Sequence, residues 1–428
     1  MSTTSADAFE ELQWRGLVDL TTDEAALRSA LAAGPVTFYC GFDPTAASLH
    51  IGNLMQLLTV RRLQDAGHDP LVLVGGATGL IGDPGMSGER VLNDPGTVAA
   101  WTERLRAQAS RFVRFDGPHP ARVVNNLDWT APLSAIDFLR DVGKHYRVNR
   151  MIAKEAVSAR LASEAGISFT EFSYQILQGM DFLELYRRHG CTLQTGGSDQ
   201  WGNLTSGTDL IRRVEGTAVH ALATPLVTKA DGTKFGKTGT GTVWLDAGMT
   251  SPYAFYQFWL NAEDVKVGDY LRYFTFRDRD EIASLEELVA DQPAARQAQR
   301  TLAADVTTLV HGTDATRRVE EASQALFGRG RLEDLDAGTF ADAVAELPSA
   351  RVPAGDHLVV DLLAATGLVA GKAAARRAIA DGGAYLNNRK VDSHESAVTP
   401  EDLLHGRWAV LRRGRRSLAA VEVGAERP

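Results

Sequence analysis

The sequence predicts an α/β fold built on a parallel sheet, extended by helical and small α+β segments. Three observations predict it. A strand, a helix and a second strand follow one another within about 40 residues, the signature of a βαβ unit. The chain has 428 residues, too many for one compact core, so two or three domains are expected. Hydrophobic residues make up 44% and charged residues 23%, as in an ordinary globular protein and unlike disordered, collagenous or coiled-coil chains.

The elements follow in order. Val36-Thr37-Phe38-Tyr39-Cys40-Gly41 is a short run of strand formers. A loop with Asp43-Pro44-Thr45 leads to a helix over Leu54 to Gln64, with Leu54, Leu57, Leu58 and Leu63 at helical spacing and a stop at Gly67. Leu71-Val72-Leu73-Val74 is the second strand. Trp101 to Phe115 and Leu133 to Glu164 read as helices inserted between two halves of a sheet, a place suited to a dimer surface. Cys191 to Gly197 is a further strand. From Ser251 to about Leu347 the pattern is helical, with amphipathic stretches over Asp280 to Val289 and Ala294 to Val310. Pro348 and Pro353 bracket an expected linker. Beyond it, Val359 to Thr366 and Lys372 to Ala380 form a helix pair. Short strands at Ala384 to Leu386 and Arg389 to Val391 then flank a turn at Asn387-Asn388.

Composition excludes several classes. No apolar run approaches the ~18 residues that span a bilayer, and the acidic N-terminus lacks the features of an export or organelle leader; a cytoplasmic protein is expected. Cys40 and Cys191 have no CxxC and no histidine at ligand spacing, so neither a disulfide framework nor a resident metal is expected. The formal net charge is −9. From Arg351 onward 12 basic residues face 9 acidic ones, leaving −12 on the first 350. A basic tail on an acidic body is compatible with docking a folded nucleic acid, although charge alone favours a solvated arginine-rich surface.

Three places carry chemistry. His50-Ile51-Gly52-Asn53 opens a helix just after a strand, where unpaired N–H groups and the helix dipole favour a phosphate. His50 and Asn53 share a face of the first turn, and Gly52 leaves room for a flat ring near the backbone. Lys234-Phe235-Gly236-Lys237-Thr238 is not a P-loop: Gly232 and Gly236 enclose three residues instead of four, and Gly239-Thr240-Gly241 stands where a helix should begin. It lies instead in a glycine- and threonine-rich loop that, from Lys229 to Lys237, holds three of the chain's eight lysines, compact charges suited to phosphate. The third place is a polar set in apolar surroundings: Tyr39, Asp83, Tyr174, Gln178, Asp181, Asp199 and Gln200. Tyr174, Gln178 and Asp181 at i, i+4, i+7 share one helix face, where buried polar groups need partners or a polar ligand.

Together these words resemble the bacterial tyrosyl-tRNA synthetases, of the class I aminoacyl-tRNA synthetases. The resemblance is carried by Tyr39-Cys40-Gly41-Phe42-Asp43-Pro44-Thr45, by His50-Ile51-Gly52-Asn53 (the HIGH signature) and by the run from Gly75 to Pro84. It continues in the run from Tyr174 to Asp181, in Gly196-Gly197-Ser198-Asp199-Gln200-Trp201-Gly202-Asn203, and in Lys234-Phe235-Gly236-Lys237-Thr238 (the KMSKS signature). It covers essentially the whole chain. Asn53 stands for the last histidine of HIGH, and the lysine loop departs from KMSKS at three positions while keeping both lysines.

The resemblance implies a Rossmann-like catalytic domain over 1–247 with an insertion at about 95–170, an α-helical anticodon-recognition domain over 248–347, and a linker with an S-four-type RNA-binding domain over 348–428. It implies a homodimer and a two-step reaction. L-tyrosine and ATP, with Mg2+, give tyrosyl-adenylate and pyrophosphate, and the tyrosyl group then passes to the 3′ end of tRNA(Tyr). Tyr39 and Asp181 would bind the phenol hydroxyl. Tyr174, Gln178 and Asp83 would hold the ammonium group, with Gln200 near the carboxylate. Thr45 and His50 would stabilise the phosphate in transit, and Lys234 and Lys237 would close over pyrophosphate. Gly52 and Asn53 would contact ATP, and Asp43 and Asp199 the nucleoside. In the tail, Arg376, Arg377, Arg389 and Lys390 suit RNA recognition by backbone and shape. Tryptophanyl-tRNA synthetase, a HxGH-type nucleotidyltransferase and a noncatalytic RNA-binding relative are the rival readings.

Overall fold

β-Branched and aromatic runs form the sheet that positions everything else. The computed structural model describes residues 8–84, 92–164, 166–233, 235–238, 241–328, 330–414 and 417–424, the side chains of 155, 156, 237 and 238 excepted. These residues fold as two compact units: Met1–Met249 with Glu263–Glu287, and Thr250–Ala262 with Leu288–Pro428.

In the first unit, β1 (Leu20–Thr21), β2 (Thr37–Phe42), β3 (Asp69–Val74), β4 (Arg122–Asn125), β5 (Leu193–Gly197) and β6 (His220–Thr224) form one sheet in the order β1-β6-β5-β2-β3-β4. All pairs are parallel except β1 with β6. Tyr39 of β2 lies between Leu71 of β3 and Gln194 of β5. From β2 the chain adds strands first on one side, then on the other, so the carboxyl ends of β2 and β5 flank a topological switch point, where such sheets leave a crevice. The sequence reading finds β2, β3 and β5. It misses β1 and β4, which are too short to show a period, and β6, whose His220-Ala221-Leu222-Ala223-Thr224 is poor in strand formers.

Helices α1 (Ala8–Trp14), α2 (Glu24–Ala33) and α3 (Ile51–Asp65) surround the sheet's first half. The next, α4 (Pro95–Ala109), begins six residues before the expected Trp101, because Asp94 caps it and Pro95 takes the first helical position. The expected helix over Leu133 to Glu164 is instead a chain of short pieces. After α5 (Leu127–Thr130) come α6 (Ala135–Asp137), a π turn at Phe138–Val142, a 3-10 turn at Gly143–His145, α7 (Val148–Ile152) and α8 (Glu155–Leu161). Tyr146 and Arg147 adopt extended backbone there, which no continuous helix can accommodate. A buried pair, Arg160 to Glu171 at 2.8 Å, ties this run to α9 (Phe169–His189). The face of α9 packs on α10 (Trp201–Glu215) and shares a core with Tyr39, Leu71, Trp129, Phe182 and Ile211.

Residues 263–287 belong to this first unit, although the sequence reading assigns them to the helical middle domain. The reason is a clamp of buried arginines. Helix α12 (Val267–Phe274), which follows α11 (Pro252–Leu260) in the chain, leaves its last carbonyls unpaired. Arg15 donates to the carbonyls of Arg272 (3.0 Å), Thr275 (3.2 Å) and Arg277 (2.8 Å), and Arg62 donates to that of Thr275 at 2.7 Å. Burial, with Arg15 adding repulsion, pulls the Arg62 guanidinium down to about 9.

The second unit holds α11 and, after α13 (Arg279–Asp291) in the chain, α14 (Gln297–His311), α15 (Thr313–Leu326) and α16 (Ala337–Ala345). Its sheet runs β12-β11-β14-β15-β9: β9 (Ser349–Val352), β11 (Ala384–Leu386), β12 (Arg389–Lys390), β14 (Trp408–Arg413) and β15 (Ser417–Val423). A separate pair is β10 (His357–Leu358) with β13 (Ala397–Val398). The expected linker between Pro348 and Pro353 is thus a strand, parallel to β15; its flanking prolines hid it. Helices α17 (Val359–Ala365) and α18 (Lys372–Ala380) match the expected pair. Asn387 (φ 46) and Asn388 (φ 63) form the two-residue turn between β11 and β12, with both residues in the left-handed region that such hairpins require.

Candidate functional site

A cavity of about 410 Å³ opens at the switch point, within the first unit. It gathers twelve of the predicted residues from distant parts of the chain: Tyr39, Asp43, Thr45, His50, Gly52, Asn53, Asp83, Tyr174, Gln178, Asp181, Asp199 and Gln200. Lys234 lies outside the described residues, as does the side chain of Lys237.

At one wall, His50 is the N-cap of α3. Its Nδ1 accepts from the Gly52 amide at 3.0 Å, while Asn53 Oδ1 accepts from the His50 amide at 3.0 Å. An Nδ1 that accepts must carry the ring's proton on Nε2, so the imidazole is a donor at that atom. The sequence reading gives Gly52 the task of admitting a flat ring. The ring it admits is His50's: a Cβ here would stand 2.9 Å from His50 Cε1. The loop after β6 is laced to this helix start by backbone. Leu245 donates to the Leu49 carbonyl at 2.8 Å, Ile51 to that of Val243 at 3.3 Å, and Val243 to that of Gly236 at 3.0 Å. Lys237–Thr238 (β7) and Gly241–Thr242 (β8) pair as a small ladder in the same loop. Phe235, stacked 4.1 Å from the ring of Tyr270, and Gly236 line the cavity. Two words separated by 184 residues of sequence are therefore neighbours.

The opposite wall is polar and buried. Asp181, 1% exposed, accepts from Asn126 Nδ2 at 2.9 Å and from Trp129 Nε1 at 2.8 Å. Burial pushes its carboxyl up to about 7 against those two donors. The Tyr39 hydroxyl is buried in the cavity with no hydrogen-bond partner, as are Oε1 of Gln178 and of Gln194. Burial, then the Asp181 charge, drives the Tyr39 phenol well above its usual value, so it stays protonated. Tyr174 is likewise raised by burial and then by Asp43, and its hydroxyl donates to Asp43 Oδ2 at 2.6 Å. Thr78 donates to Asp43 Oδ1 at 2.6 Å. Asp83 accepts from Gln200 at 2.9 Å and from Asn203 at 3.0 Å.

A site of this kind suits a polar ligand with an apolar body. Orphaned buried polar atoms are costly without one, and N–H donors at a helix start suit an anion. The hydroxyls beside a carboxylate, those of Tyr174 and Thr78, are both engaged in holding Asp43; the arrangement suits positioning and charge stabilisation. Among the described residues, no group of three or more His, Cys, Asp or Glu could hold a metal ion.

The sequence reading missed Asn126, Trp129, Thr78 and Asn203. Asn203 stands inside a quoted word, but nothing local marks Asn126 or Trp129, whose partner is 55 or 52 residues away. The four tail residues lie in the second unit. Arg376, Arg377, Arg389 and Lys390 are all exposed; Arg389 comes within 3.9 Å of Glu333, and Lys390 within 3.9 Å of Asp392.

Comparison with known proteins adds the following. The family model for "tRNA synthetases class I (W and Y)" matches residues 31–328, and that for the "Tyrosine--tRNA ligase SYY-like C-terminal domain" matches 339–421. The chain is 66% identical to a tyrosine--tRNA ligase of Streptomyces avermitilis, over 97% of this chain and 99% of that one. With a tyrosine--tRNA ligase of Corynebacterium glutamicum the identity is 56%, over 97% and 99%. Among solved structures, a C-terminally truncated mitochondrial tyrosyl-tRNA synthetase of Coccidioides posadasii matches with a TM-score of 0.65 at 31% identity, covering 73% of this chain and 90% of that one.

Proposed function

We infer the division of labour in the cavity from one premise: the chain belongs to the tyrosine–tRNA ligases of the class I tRNA synthetases, enzymes that join tyrosine to tRNA with ATP as a substrate. The reaction proposed has two steps. The tyrosine carboxylate attacks the α-phosphate of ATP, supplied as its Mg2+ complex, forming the acyl-phosphate bond of tyrosyl-adenylate and releasing pyrophosphate. A hydroxyl at the 3′ end of tRNA(Tyr) then takes the acyl group and AMP leaves.

The unpartnered, protonated Tyr39 hydroxyl beside Asp181 is the observation that carries the tyrosine assignment. A phenol oxygen accepts from Tyr39 and its proton is accepted by Asp181; an indole or a phenylalanine ring would strand these groups. In this reading Asp83, Tyr174 and Gln178 take the ammonium group and Gln200 the carboxylate. Asp43 meets the nucleoside end while also accepting from Tyr174. His50, through Nε2–H, and Thr45 stabilise charge on the phosphate, Asn53 and Gly52 form the helix start beneath the nucleotide, and Asp199 faces the ribose. Lys234 and Lys237 neutralise pyrophosphate.

The proposed domains are the catalytic 1–247, whose compact unit also takes in 263–287, the anticodon-recognition 248–347 apart from that segment, and the RNA-binding 348–428, the last using Arg376, Arg377, Arg389 and Lys390. A homodimer is proposed on the exposed apolar side chains Leu127, Ile136, Leu139, Val148, Ile152 and Phe169, which fall in one stretch of the first unit; sedimentation should give twice the chain mass. A cytoplasmic setting goes with a tRNA substrate and is tested by cell fractionation. Among the described residues no helix is long and apolar enough to cross a membrane.

Amino-acid-dependent ATP–pyrophosphate exchange, run with each of the twenty amino acids, tests the pocket reading. Exchange with tyrosine alone is expected. Exchange with tryptophan would overturn the roles of Tyr39 and Asp181.

A further inference from the structure

We propose that Asn203 is a positioning residue that sets how the cavity receives the ammonium group of its amino acid. The inference rests on the assignment of Asp83 to that group. Asn203 does not line the cavity, whereas Asp83 and Gln200 do. Its Nδ2 donates to Asp83 Oδ1 at 3.0 Å and to Gln200 Oε1 at 2.9 Å, and Gln200 Nε2 closes the triangle on Asp83 Oδ2 at 2.9 Å.

The triangle has a geometric consequence. Gln200 ends a 3-10 turn and Asn203 sits in the first turn of α10, so one rigid helix start supplies donors to both Asp83 oxygens. Asn203 also fixes the Gln200 amide: with Oε1 accepting from Asn203, its Nε2 is turned to Asp83 Oδ2. The helix start is itself anchored. Lys154 donates to the Gly202 carbonyl, and its stem passes where a Gly202 side chain would lie, with Cδ 3.2 Å from the position of a Cβ. Gly202 makes way for Lys154, and Asn203 transmits the anchored position to Asp83.

A positioning role of this kind separates ligands by whether they carry the ammonium group. The test is fluorescence titration of the full-length protein with L-tyrosine and with 3-(4-hydroxyphenyl)propionate, which lacks only that group. Asn203 is half-buried on a helix, where alanine is well tolerated; Asn203→Ser, with a shorter polar side chain, serves as a second variant. For Asn203→Ala the expected Kd for tyrosine rises about tenfold, with that for the des-amino compound within about twofold and the KM for ATP unchanged. Equal weakening of both ligands, or of neither, overturns the proposal. Asp83→Asn separates the two layers. It should erase the preference for tyrosine over the des-amino compound, and if that preference survives, the reading of Asp83 fails irrespective of Asn203.

Discussion

The indole N–H of Trp129 donates to Oδ1 of Asp181 at 2.8 Å. With Asn126 on the other oxygen, it fastens a buried carboxylate in the wall of the cavity that Tyr39, with its unpartnered hydroxyl, also lines. Trp129→Phe keeps most of the ring and removes the donor. The expected outcome is a loss of about 1–3 kcal/mol in urea unfolding, with tyrosine affinity reduced in parallel. A variant as stable as the native chain would show that the bond carries nothing.

Asp181 also predicts a pH dependence. Its carboxyl is raised by burial to about 7 from an ordinary carboxylate value near 4, so between those values the folded state binds a proton that the unfolded state has lost. Stability contributed by this group is therefore full below about 4 and is lost as pH rises to about 7, by at most about 4 kcal/mol. Native and Asp181→Asn chains compared by urea unfolding from pH 5 to 8 should show the native chain losing ground as pH rises; parallel curves would refute the assignment.

Gly52→Ala should act on chemistry more than on binding. The new Cβ would press on His50 Cε1, pushing Nδ1 off the Gly52 amide and turning Nε2 from its direction. Losing such a cap costs about 1 kcal/mol. In single-turnover adenylate formation the rate should fall at least about tenfold, with the Kd for tyrosine within about twofold. An unchanged rate would remove His50 Nε2 from the mechanism.

For the tail, Arg376→Ala with Arg377→Ala should weaken tRNA(Tyr) binding and reduce the slope of log K against log salt by about 1–2. ATP–pyrophosphate exchange should be unchanged, because both arginines are exposed on α18 in the second unit. Unaltered tRNA affinity would move the RNA contact elsewhere.

Lys237→Ala should slow adenylate formation while tyrosine binding is kept, if its ammonium offsets pyrophosphate charge. Unchanged single-turnover kinetics would rule that role out.

Whatever short-range physics governs was legible in the residues alone. The strands β2 and β3, the helix pair α17 and α18, and the Asn387-Asn388 turn each follow from propensity or period within a window of a few turns. So does the placing of Tyr174, Gln178 and Asp181 on one helix face. Family words identified the cavity's residues, but not whom each one holds. Only the tertiary structure decided that Tyr174 donates to Asp43, 131 residues away, and that Trp129 and Asn126 secure Asp181. It alone gave Gly52's space to His50, made Ser349–Val352 a strand, and gave residues 263–287 to the first unit through Arg15 and Arg62. These choices share a cause: a buried polar group takes the partner that packing brings to it, and packing joins residues whose separation along the chain leaves no local trace.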